Sequence, residues 1–76
     1  ADFTLSPNPA DNVLHVEIKD PTFKKARLMT VKGEIVWETN SSLTTQTIDV
    51  SAFESGVYFL SVTSEKGSSM KKVVIR

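Results

Sequence analysis

The sequence predicts an all-β fold, an antiparallel sandwich of about seven short strands. Three observations carry that expectation. Apolar residues alternate with period two along nearly the whole chain, as half-buried strands require. Turn-forming residues recur roughly every 8–12 positions. No segment carries an apolar stripe that would sustain about three turns of helix. The rival architecture, a closed barrel of about five longer strands, usually brings a helix as well, and the sandwich is favoured.

The elements follow in chain order. Residues 3–5 form a first strand, broken by Ser6-Pro7-Asn8-Pro9, where two prolines lack an amide donor for a ladder. Residues 13–18 alternate cleanly, with Leu14, Val16 and Ile18 on one face, and Asp20-Pro21 ends that strand. Residues 26–29 continue the pattern. Residues 31–37 place Lys32-Gly33 between two β-rich runs, a hairpin signal in which Gly33 supplies positive φ. Asn40-Ser41-Ser42 is a polar link. Residues 44–50 read as a strand with Ile48 and Val50 inward, and residues 49–56 as a strand end, a short turn of helix or 3₁₀, and a Gly56 exit. Residues 56–63 are the strongest strand in the chain. The turn at residues 65–68 returns the chain into a last strand, residues 70–75.

Size and composition narrow the function. Seventy-six residues make one domain, 1–76. A chain of this size buries only about 60% of the surface its unfolded form exposes. Without Cys it has neither disulfides nor thiolate metal sites. Nine basic and nine acidic residues balance to zero net charge, unlike the basic excess with which nucleic-acid binders displace counterions. No apolar run approaches the ~20 residues of a membrane-spanning helix, and no stretch reads as a signal peptide. The chain begins without Met and is expected to be part of something longer.

No arrangement of residues points to catalysis, and the expectation is a non-enzyme without cofactor, metal or small-molecule substrate. His15 is the only His; it falls on the polar side of its strand beside Glu17 and reads as a solvent-facing residue. Gly33, Gly56 and Gly67 each stand alone, so no phosphate-binding loop is present. Asn40-Ser41-Ser42 matches the glycosylation triplet, a pattern frequent by chance. Trp37, Phe53, Tyr58 and Phe59 are spread over three segments and read as packing residues. The Tyr58 hydroxyl is placed to bond backbone near the Phe53 turn, resembling the tyrosine corner of immunoglobulin-like sandwiches. The ending Lys71, Lys72, Val73, Val74, Ile75 and Arg76 is β-branched and flanked by cations. It reads either as a closing strand protected by charge or as a strand offered to a receptor.

Four blocks in order resemble the C-terminal sorting domains of type IX (Por) secretion cargo of Bacteroidota. Residues 5–14, with Pro7-Asn8-Pro9-Ala10, are similar to the family's opening motif. Residues 26–36 around Gly33 look like its second, although Glu34 stands where Lys or Arg is more usual. Residues 48–60, in which Gly56-Val57-Tyr58 opens a strand, resemble the third, and residues 71–75 the basic β-branched ending.

The resemblance implies a seven-stranded immunoglobulin-like sandwich that directs cargo from the periplasm through an outer-membrane translocon. A surface sortase then removes it, at or before its first strand near Ala1-Asp2 or upstream, and joins cargo to anionic lipopolysaccharide. Partners would be the translocon and the shuttle and sortase proteins of that system. Recognition is expected at residues 71–76, with Pro7, Asn8, Pro9, Gly33, Gly56 and Tyr58 setting the shape. The alternatives are a retained interaction or signalling module of a surface or periplasmic protein, and an immunoglobulin-like spacer. An exposed terminal strand is also expected to favour a homodimer or strand swap.

Overall fold

A computed structural model of the chain describes residues 3–7, 9–40 and 44–76. Asn8, the Ala1-Asp2 junction, and Ser41 and Ser42 of the triplet lie outside the described residues. The described residues hold seven strands and no helix: β1 (Phe3–Ser6), β2 (Val13–Ile18), β3 (Phe23–Thr30), β4 (Ile35–Thr39), β5 (Thr45–Asp49), β6 (Gly56–Ser64) and β7 (Gly67–Ile75). They form two antiparallel sheets, β1-β2-β5 and β4-β3-β6-β7.

Period-two alternation decides which side chains the sheets share. Phe3, Leu14, Val16, Ile18 and Ile48 come from the first sheet, Leu28, Leu60, Val62, Val73 and Ile75 from the second, and all join one buried cluster. Each such side chain contributes roughly 1.5–3 kcal/mol on burial, which a chain this small needs. In β2 the buried residues are those the alternation predicts, and the same holds for Ile48 and Val50.

Several boundaries differ from the sequence reading. Residues 31–34 form a tight turn: Gly33 N–H donates to Thr30 O at 2.9 Å and Thr30 N–H to Glu34 O at 2.9 Å. Val31 therefore leaves the strand and is 65% exposed. Gly33 has φ +86°, the left-handed conformation this reversal requires. In β4, Leu28 faces Trp37 while Met29 faces Ile35, so Val36 is the extra residue of a bulge. That shift lets Val36 and Trp37 both rest on the core while Ile35 turns outward.

The expected helical turn after residue 49 is a simple turn, held by Phe53 N–H donating to Val50 O at 3.1 Å. One such bond is too short a run to propagate a helix. The last strand also begins earlier than expected, at Gly67, because Glu65 and Lys66 alone complete the hairpin.

The crossing between sheets is tied by Asp20, which is buried. Its carboxylate accepts the Thr22 hydroxyl at 2.6 Å and the Thr22 amide at 2.8 Å. The Thr22 hydroxyl and amide, then Ser64, hold its pKa down from 3.8 to about 2, with Lys66 adding charge. Ser64 Oγ in turn accepts the Lys66 amide at 3.1 Å, and Glu65 N–H donates to Thr22 O at 3.4 Å, so the β2–β3 and β6–β7 turns are fastened together.

Candidate functional site

The terminal strand β7 lies at the edge of the four-stranded sheet, paired with β6 from Gly56–Ile75 to Ser64–Gly67. Alternation divides the six expected recognition residues. Val73 and Ile75 are buried and belong to the core. Lys71, Lys72 and Arg76 are exposed, and Val74 is half-buried on the outer side of the sheet. Register thus puts Lys72 and Val74 on the outer side of the sheet and Lys71 opposite Leu60 on the inner side, while Val73 and Ile75 hold the strand in place.

The end of β7 is covered on its outer edge. Ala10, fully buried, donates its N–H to Val74 O at 2.8 Å and accepts the Arg76 N–H at 2.9 Å, a parallel bridge to Ile75. Lys71 Nζ donates to the carbonyl of Phe3 and sits 4.9 Å from the centre of the Phe3 ring. The segment that opens the domain is therefore fastened to the strand that closes it. Pro7 and Pro9, both exposed, flank the link from β1 to Ala10.

Gly56 opens β6 with φ +154°, outside the range L side chains favour. Two residues on, buried Tyr58 donates its hydroxyl to Glu54 O at 2.7 Å, as expected from the sequence. Phe53 stacks on Tyr58 with centroids 6.2 Å apart. These contacts pin the β5–β6 loop opposite the β3–β4 turn, leaving an open cleft of about 550 Å³ between residues 30–34 and 54–58. Val31 and Val57 supply its apolar lining, and Lys32, Glu34 and Glu54 its charges.

Phe59 differs from the packing role read for it. Its register partners are Met29 and Lys72, on the outer side of the four-stranded sheet, and it is only half-buried there. Sequence reasoning missed this outer apolar surface, although a signal existed. In residues 57–60 both alternating positions are large and apolar, which a strand with one solvated face does not need. The Ala10 bridge and the Asp20 latch join residues far apart in sequence, and no local pattern announces them.

Among the described residues no three His, Cys, Asp or Glu side chains converge to hold a metal. His15 is exposed on β2, its Nδ1 3.5 Å from the Thr47 hydroxyl. Among curated proteins no match to the sequence is found. The family model of the secretion system C-terminal sorting domain matches residues 4–76, and this chain belongs to that family of type IX secretion sorting signals.

Proposed function

We propose that the chain is an immunoglobulin-like address label, read in the outer membrane of a Bacteroidota cell and then removed. The observation that carries this reading is the family match across residues 4–76. A sorting signal of this family implies export by the secretion system to the cell surface or the medium. In this reading cargo travels from the periplasm through the outer-membrane translocon. A sortase then cuts at or ahead of β1 and transfers cargo to anionic lipopolysaccharide. The domain is ligand and substrate throughout and performs no catalysis itself.

Two structural features support the finer points. The order β1-β2-β5 with β4-β3-β6-β7 corresponds to strands A-B-E and C′-C-F-G of an immunoglobulin-like sandwich. The Tyr58–Glu54 bond at the start of β6 supports the same assignment. The label's terminal cations stand on an edge strand whose core residues are locked, so a receptor meets a shape independent of the cargo.

The test fuses the chain to the C-terminus of a periplasmic reporter in a host with this secretion system. Deleting residues 72–76 would strip Val73 and Ile75 from the core. The informative variant is therefore Lys72→Glu with Arg76→Glu, which spares them. Surface display of the intact fusion with loss in the double variant is the expected result. Retention of the intact fusion in the periplasm would defeat the sorting reading. Display without cleavage would favour the retained module instead.

A further inference from the structure

The outer side of the four-stranded sheet is unusually apolar for a solvated surface. Register sets Met29 beside Ile35 and Phe59, and Val57 beside Val74. Met70 stands on the same side, opposite Ser61. Ile35 is 46% exposed and Met70 57%, and Val31 continues the surface into the cleft at its end. All the large hydrophobic residues that are exposed among those described therefore lie on this side or at its rim. Such concentration marks an interaction surface, whereas scattered single residues would not.

We propose that this face docks a folded protein whose own apolar patch is edged by carboxylates. The charges select that partner. Among the described residues, the strands of this side present Lys25, Arg27 and Lys72 with one carboxylate, Glu38, which Arg27 engages at 2.7 Å. Lys32, Glu34 and Glu54 lie apart at the cleft. A second copy of the same face would set cations against cations, a repulsion strengthened as water leaves the interface. An anionic lipid surface would meet Glu34 and Glu54 at the cleft. A protein partner can instead match each site: carboxylates toward Lys25, an apolar anchor between Val31 and Val57. Sheet-on-sheet contact suits the cross-strand row Ile35–Met29–Phe59. In the sorting reading, on which the choice of host rests, this partner belongs to the export machinery.

The experiment places a photo-crosslinking amino acid at position 70, or at position 47 on the other outer face, in the reporter fusion expressed in that host. An adduct with one protein from position 70 and none from position 47 is expected. That protein, identified and purified, should bind the intact chain at least tenfold more weakly when the chain carries Met70→Glu or Lys25→Glu. Ile35→Glu repeats the test from another strand, Thr47→Glu should change nothing, and a thermal melt of each variant checks the fold. No protein adduct at 70, equal adducts at both positions, an adduct with a second copy, or a Lys25→Glu variant that binds normally would each overturn the proposal. Co-sedimentation with phosphatidylglycerol vesicles in place of a protein adduct would overturn it too. Failed export with the adduct intact would count against sorting alone, and export without an adduct against this face alone.

Discussion

The two sheets turn opposite characters to the solvent. On the outer side of β1-β2-β5 stand, among the described residues, the exposed polar Thr4, Ser6, His15, Glu17, Thr45, Thr47 and Asp49, with half-buried Val13 opposite Asp49. On the outer side of β4-β3-β6-β7 stand Met29, Ile35, Val57, Phe59, Met70 and Val74, among the charged Lys25, Arg27, Glu38 and Lys72. Both sheets spend their inner faces on one core, so stability alone asks nothing apolar of either outer face. The polar sheet shows what solvation by itself requires. The apolar one carries an excess that folding does not explain, beside the terminal strand that holds the cationic ending.

Neighbouring residues of β6 give the sharpest way to break this contrast. Leu60→Ala, on the shared core, should lower unfolding free energy by about 2–5 kcal/mol in denaturant titration, enough to unfold much of so small a domain. Phe59→Ala, one residue away on the outer face, should cost only about 1–2 kcal/mol because that ring is already partly wet. Equal losses would mean that the outer face is a second structural core.

Gly56→Ala should cost about 1 kcal/mol or more, read by the same titration. Its φ of +154° is strained for any L side chain even though open space surrounds it. An unchanged midpoint would show that the strand opening relaxes freely.

Acid separates the contribution of the inter-sheet latch from that of either face. Asp20 has a folded pKa of about 2 against an unfolded value of 3.8. Its contribution is therefore fully present above about pH 4 and is lost as pH falls through 2. Asp49, lowered by the Ser51 hydroxyl and amide, acts in the same direction. Thermal melts of Asp20→Asn should show a shallower loss of stability between pH 4 and 2 than the parent chain. Parallel slopes would remove Asp20 from that role.

The smallest effect concerns the surfaces themselves. Met70→Glu and His15→Ala should each leave stability within about 0.5 kcal/mol. Retention on a hydrophobic-interaction column should fall for Met70→Glu and stay unchanged for His15→Ala. Similar retention shifts would erase the distinction between the faces.

Much of the fold was legible because burial on one side of a strand imposes a local period. Leu14, Val16 and Ile18 announced their inward face, and Gly33 its turn. The family resemblance was legible as well, since its motifs are short runs at turns and at the last strand. The differences have two sources, hydrogen bonds that close a local turn and register set by a distant strand. Val31, expected in a strand, lies in a turn because Thr30 and Glu34 close the hairpin around Gly33. Phe59, expected among the packing residues because the aromatics are spread over three segments, is turned outward by register with Met29 and Lys72.

By itself the sequence determined the strands, most of their inward faces and the family of the domain, because alternation and turn chemistry act between near neighbours. Only the tertiary structure decided what surrounds the last strand. Ala10 covers its end, Lys71 reaches the Phe3 carbonyl, and Val73 and Ile75 disappear into the core. It also decided that residues from four strands gather into one apolar outer face. Those contacts join positions tens of residues apart, and their placement follows from how the sheets pair and stack.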